Sequence, residues 1–201
     1  MFNQNGTFLN TTLDVYANTS IANVTNEARW TFLTVCQVSC NVPAVVGNGF
    51  VLCIFLHKPV LITPFNIYLV VLLSANVFYS LTGGPLDIVN NLYDNWILSA
   101  EMCSIYLYLT IIFQGYLTMI HVTITLNRMW AIFYPIHYRH HHNKKVAVLI
   151  SLAAMAFANA IMLPFLLIDE FHYRQSIAEV GCACNFNAQW WHWAILQVQF
   201  A

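Results

Sequence analysis

Charge is what this sequence has least of. Only 7% of its 201 residues are Asp, Glu, Lys or Arg, where a soluble domain carries about 25%. With a hydrophobic content of 59%, that scarcity excludes an ordinary water-soluble fold. The constellations of an enzyme are missing too: no paired acids, no nucleophile beside a base and no glycine-rich phosphate loop. The sequence shows no repeat and no interdomain linker, and nothing in it calls for a cofactor, a metal or a nucleic-acid partner. Met1 to Ser20 lacks the charged start and apolar stretch of a secretory signal. The first membrane span is therefore expected to act as an uncleaved anchor.

The few charges that exist are banded. Asp14, Glu27 and Arg29 come before a charge-free run from Trp30 to His57, and Lys58 separates it from a second, Pro59 to Leu86. Asp87, Asp94 and Glu101 precede a third run, Met102 to Asn127. Arg128, Arg139, Lys144 and Lys145 precede a fourth, Val146 to Ile168, and Asp169, Glu170, Arg174 and Glu179 a last, Val180 to Ala201. A helix needs about 20 apolar residues to cross the hydrocarbon core. Spans are thus expected near 31–56, 66–88, 102–130 and 145–168, with the start of a fifth at 191–201. The fold class is all-α and membrane-embedded. Acids fall in the first, third and fifth bands, and most bases in the second and fourth. Because Lys and Arg mark cytoplasmic loops, the N-terminus is expected outside the cell.

Two features agree with that topology. Asn5, Asn10, Asn18 and Asn23 each begin an Asn-x-Ser/Thr sequon, so residues 1–29 read as a glycosylated extracellular tail too polar to bury a core. Trp30, Trp96, Trp130, Trp190, Trp191 and Trp193 all lie near expected span ends, where an amphipathic ring suits the headgroup zone. Asn48 and Asn76 fall in mid-span, and each needs a hydrogen-bonding partner inside a bundle. The lone Arg128 closes the third span. Long cationic side chains snorkel to water at such ends, but rarely sit there without a task.

The motif around that arginine carries a resemblance. Arg128-x-x-Ala131-Ile132-x-x-Pro135-x-x-Tyr138 resembles the third-helix end and second cytoplasmic loop of rhodopsin-like G-protein-coupled receptors. Gly47-Asn48-x-x-Val51, Asn66-x-x-Leu69-x-x-Leu72-x-x-x-Asn76, Trp96 seven residues before Cys103, and Met162-Leu-Pro164 are similar to the family's other helices. The resemblance implies that 30–201 is part of a seven-helix receptor domain, with four complete helices and the start of a fifth. It implies a heterotrimeric G protein as partner once the missing helices complete the bundle. The contact there would involve Asn127, Arg128, Met129, Ile132, Pro135 and Tyr138. It also implies a disulfide from Cys103 to the next outer loop, for which Cys184 is preferred, since Cys184-Asn-Phe186 matches the family's Cys-x-aromatic pattern, with Cys182 as the alternative. Cys36, Cys40 and Cys53 are expected to be buried thiols.

Departures from the pattern matter as well. Asn127 replaces the acid that normally precedes the arginine, and the Asn-Arg pair is similar to those in some invertebrate chemoreceptor-like branches. Asn76 replaces an aspartate and Leu117 a frequent serine, so the family's sodium site is expected to be absent. Thr110 stands where an amine receptor would carry an acid, which argues against a biogenic amine as the extracellular ligand. Thr110 and Gln114 remain pocket candidates. His140-His141-His142, near His137, are consecutive rather than spaced to converge on a metal, and are expected to form a solvated polar loop. Gly83-Gly84-Pro85 is expected to bend the outer end of the second span. The rival readings are a truncated membrane protein that modulates full-length receptors, and a four-helix transporter or channel subunit.

Overall fold

The computed structural model of the protein describes residues 27–185. The four sequons, the 191–201 span start and Trp190, Trp191 and Trp193 lie outside the described residues. Four long helices dominate: α1 Phe32–His57, α2 Asn66–Leu92, α3 Ala100–Phe133 and α4 Lys144–Ile168. Each is long and apolar enough to cross a membrane. Among the described residues the fold is helical, without strands.

Local chemistry explains where the helices begin. Thr31, Ser99 and Asn143 each accept a hydrogen bond from the backbone N–H three residues on, at Thr34, Met102 and Val146. These are the short polar side chains that best satisfy the orphan donors of a first turn. A seven-residue loop helix, Pro135–His141, follows α3 with its proline at the first position, where the missing N–H costs nothing. Beyond α4 the chain makes a π-helical turn, Asp169–Tyr173, and one short helical turn, Ile177–Val180.

Apolar packing divides into two clusters. One joins Trp96, Cys103, Tyr106 and Leu107 to Met162 and Phe165; the other joins Tyr68 and Ala75 to Tyr116, Ile120, Ala147 and Ala158. The outward faces are as apolar as the inward ones: Phe50, Leu81, Leu149 and Phe157 are all more than half exposed. An exposed apolar surface of that extent needs lipid or protein against it.

α1 is held differently. Thr34 is its one buried residue, and its contact with α2 runs through a ladder of hydrogen bonds. Thr34 Oγ1 donates to the Asn91 carbonyl (3.2 Å), Gln37 Nε2 to Asp87 Oδ2 (3.1 Å) and Asn41 Nδ2 to the Ser80 carbonyl (3.2 Å). Asn76 Nδ2 donates to Asn48 Oδ1 (3.4 Å), while Asn48 Nδ2 donates to the Ala44 carbonyl (2.8 Å). Small residues let helices approach closely in membranes, and polar side chains bond across the contact. Gly84 supplies the close approach here: a Cβ on it would meet the Asn41 carboxamide oxygen at 2.6 Å. The Gly83-Gly84-Pro85 segment therefore packs against neighbours, while α2 runs on through Pro85 to Leu92.

Candidate functional site

Arg128 and the residues expected around it gather at one end of the bundle. The Arg128 guanidinium carbon lies 5.5 Å from the centre of the Phe65 ring, within the range of a cation–π contact. Among the described residues no carboxylate pairs with it. Asn127 does not turn toward the arginine. Its side chain is buried, and Nδ2 donates to the Tyr138 hydroxyl at 3.2 Å.

The loop helix is clamped to the bundle by aromatic rings. Tyr138 stacks on His142 with centroids 4.5 Å apart and meets Trp130 edge-on at 5.3 Å. His142 Nε2 lies 3.1 Å from the Tyr68 hydroxyl of α2. His142 is 6% exposed, so the expected solvated histidine loop is corrected at this residue: the segment is helical through His141, and His142 plugs the gap between α2 and the loop. Burial pushes its imidazole below the ordinary value, because the charged form loses hydration there. Among the described residues its Nδ1 has no partner. His137 and His141 stack on each other at 4.1 Å, and Trp130 Nε1 donates to His137 Nδ1 at 3.3 Å.

Around this clamp the surface is apolar. Ile132, Phe133, Tyr134 and Ile136 are between 66% and 87% exposed, and Met129 is nearly half exposed. Phe133, Tyr134 and Ile136 line an open cleft of about 540 Å³ at Pro135. Arg128, Met129, Ile132 and Pro135 are thus all exposed at this end of the bundle, while Asn127 is buried and bonds to Tyr138.

At the opposite end the disulfide joins Cys103 to Cys182, with Cα atoms 5.6 Å apart. This corrects the preference for Cys184, which stays a buried free thiol. The reason lies in the loop's polar anchor. Asp169, fully buried, accepts hydrogen bonds from Arg174 Nε (3.1 Å) and from the backbone N–H of Asn185 (2.9 Å). That second bond pins Cys184 beside the carboxylate, and Gly181, at φ +73°, turns the chain so that Cys182 meets α3. Burial and the Asp169 charge push the Cys184 thiol up to about 12. Arg174 Nη1 also donates to Ser104 Oγ at 2.8 Å, tying this loop to α3 a second time. Trp96 is likewise corrected from a headgroup residue to a core residue. It stacks on Tyr106 at 5.5 Å, and its indole N–H donates to the Ser99 carbonyl.

The expected pocket residues part company. Thr110 is half-buried, and its hydroxyl approaches the Tyr79 phenol without a full hydrogen bond. Gln114, one turn along, is exposed. Cys40 and Cys53 are exposed rather than buried, and Cys36 is intermediate. Sequence reasoning passed over Asp87 as one member of a charge band. In the structure it sits inside α2 and accepts hydrogen bonds from Gln37 and from the Tyr106 hydroxyl (2.9 Å). The signal was available: Thr34, Gln37, Asn41 and Asn48 recur at intervals of three, four and seven, which places them on one helical face.

Four apolar helices, a clamped loop at one end and a disulfide-anchored loop at the other define a polytopic α-helical membrane protein. Residues 47–201 match the 7 transmembrane receptor (rhodopsin family) model, and the chain belongs to that family. It is similar to an alpha-2 adrenergic receptor of Labrus ossifagus, 28% identical over 150 residues, covering 74% of this chain and 34% of that receptor. It is similar to the alpha-2B adrenergic receptor of Orycteropus afer at 28% over 153 residues, 76% of this chain and 38% of that receptor. The human olfactory receptor 52B6 is 31% identical over 139 residues, 67% of this chain and 40% of that receptor. The chain therefore spans between 34% and 40% of the length of these relatives. All three are receptors by name, and none is an enzyme.

Proposed function

We propose that this chain supplies the first four helices of a rhodopsin-like receptor of the plasma membrane, which couples an extracellular ligand to a heterotrimeric G protein. The Arg128 surface carries the reading. An arginine near a helix end, with no acidic partner among the described residues and with exposed Met129 and Ile132 close to it in sequence, offers one cation on an otherwise apolar stretch. Such a surface suits the C-terminal segment of a helical partner, whose last carbonyls and carboxylate accept from a guanidinium. Asn127 and Tyr138 hold the loop helix in place for that contact. The charge bands support an outside position for residues 1–29, and thus an inside position for Arg128. Thr110 lacks the carboxylate that would anchor a biogenic amine on α3, so the ligand is not a small amine held from that helix.

The test joins this chain to the remaining helices of the Labrus ossifagus receptor and measures nucleotide exchange on a G protein. Basal exchange should exceed that of empty membranes, and Arg128→Ala should nearly eliminate it at equal surface expression. Exchange that survives Arg128→Ala would reduce the arginine to a membrane anchor and sink the assignment.

A further inference from the structure

Cys103, Cys182 and Cys184 share one buried cluster with Trp96, Tyr106 and Phe165. Cys103 of α3 is bonded to Cys182, and Cys184, two residues on, keeps a thiol. Loop closure hardly distinguishes this bridge from one to Cys184. The closed loop would lengthen by two residues on 79, and its entropy varies only with the logarithm of length. Thiol–disulfide exchange would interconvert the two bridges without any oxidant. The Cys184 thiolate would attack Cys103 Sγ, the Cys103–Cys182 bond would break, and Cys182 would leave as a thiolate and take up the proton that Cys184 gave to water. One disulfide and one thiol stand on each side of that step.

The fully buried Asp169 is placed to hold Cys184 back. Its Oδ1 accepts the Asn185 N–H at 2.9 Å, which fixes the backbone next to Cys184, and its Oδ2 accepts from Arg174 Nε at 3.1 Å. Arg174 Nη1 in turn reaches Ser104 Oγ on α3 at 2.8 Å. The Cys184 thiol itself hydrogen-bonds to the Asp169 carboxylate. The other acid of this turn, Glu170, lies 3.9 Å from Arg174. Burial first, and the Asp169 charge second, push the Cys184 thiol from the ordinary 9.0 to about 12, and Arg174 opposes them without cancelling them. The thiolate is the attacking species, and that rise leaves roughly a thousandfold less of it at neutral pH. A more basic thiolate attacks faster, which returns about 15- to 30-fold. On balance exchange is slowed about 30- to 60-fold.

We propose that Asp169 is a positioning residue that sets the register of the outer disulfide, holding the Cys184 thiol on its carboxylate so that Cys182 alone keeps Cys103. The role concerns the chemistry of this loop and stands apart from the coupling reading above.

The test uses the 201-residue chain made in cells and purified in phosphatidylcholine nanodiscs. Non-reducing peptide mapping should find the Cys103–Cys182 bridge alone in wild type. In Asp169→Asn the ratio of Cys103–Cys184 to Cys103–Cys182 should rise at least about tenfold. Cys182→Ser combined with Asp169→Asn should regain a bridge from Cys103 to Cys184 that Cys182→Ser alone lacks. Methyl methanethiosulfonate then reads the Cys184 thiol directly. In wild type its rate should still climb about tenfold from pH 9 to pH 10, whereas in Asp169→Asn it should be at least about threefold faster at pH 8 and level off earlier. Loosened packing alone would raise the rate equally at every pH and leave the shape of the profile unchanged. The wild-type profile needs no variant, so a misfolded Asp169→Asn protein does not shield the proposal. A wild-type rate that levels off near pH 9, a Cys184 already paired with another cysteine, or an Asp169→Asn protein with the wild-type bridge and profile would overturn it.

Discussion

Replacing Gly84 by alanine should destabilise the bundle, although alanine is the better helix former. Moving from glycine to alanine in a helix interior gains about 1 kcal/mol. The added methyl, however, would lie 2.6 Å from Asn41 Oδ1 and 3.0 Å from its Cγ. A carboxamide is a movable end, so it swings away and loses its 3.2 Å bond to the Ser80 carbonyl. That loss amounts to about 0.5–1.5 kcal/mol, and leaving the half-buried amide without a partner adds about 1 kcal/mol or more. Membrane hydrogen bonds sit toward the low end of such ranges. The net effect of Gly84→Ala is a loss of about 0.5–1.5 kcal/mol. With Asn41→Ala already in place, neither the clash nor the bond exists, and the same substitution should stabilise by about 1 kcal/mol. The sign inversion is the diagnostic, a coupling of about 1.5–2.5 kcal/mol in a double-mutant cycle. Thermal melts of the four proteins in one detergent, followed by far-ultraviolet circular dichroism, measure it. If Gly84→Ala stabilises equally in both backgrounds, the close approach of α1 and α2 at this point is wrong.

Three other expectations can be checked separately. Peptide mapping under non-reducing conditions should find Cys103 linked to Cys182 in wild type and in Cys184→Ser, whereas Cys182→Ser should lose the bridge and most surface delivery; closing a loop of 79 residues is worth about 4–5 kcal/mol on the chain-entropy view. His142 titrates below its unfolded value, so its docking against Tyr68 is at full strength above about pH 6.5 and is lost as pH falls through the lower folded value; thermal stability should therefore drop more steeply between pH 7 and 5 in wild type than in His142→Gln, and parallel curves would refute this. Glycosidase should shift the mobility of protein made in cells, and joint replacement of Asn5, Asn10, Asn18 and Asn23 should abolish the shift; an unshifted wild-type chain would reverse the proposed orientation.

The helices were legible because charge in lipid is too costly to place casually. The uncharged runs bounded by Lys58, Glu101 and Lys144 lead to helices that begin and end within a few residues of expectation. Asn48 and Asn76 were legible as mid-span amides that each need a partner; that Asn76 donates to Asn48 comes from the structure. What could not be read was which of two near-equivalent groups wins a contact. Cys182 and Cys184 differ only in position. The buried Asp169, distant in sequence, decides between them through the N–H of Asn185. Likewise, nothing local in a run of histidines says that one of them fills the space under Tyr68. Asp87 fell inside the expected span 66–88 but was read only as part of a charge band, and its hydrogen bonds to Gln37 and Tyr106 come from the structure.

The hydrogen-bonded seam between α1 and α2 works like a rack meshed with its pinion. Oil-like contact would let one rod slip along another by a fraction of a turn at little expense. Here a slip of one residue along α1 would rotate Thr34, Gln37, Asn41 and Asn48 by about 100° and disengage all four teeth together. No water stands by in the hydrocarbon to fill the gaps, so halfway positions are disfavoured. The pair therefore moves as one lever. A push delivered near Gln37 reaches Asn48, three turns away, without being absorbed by sliding, and it arrives on α2 at the helical half that also carries Tyr68, the post to which the loop helix is moored.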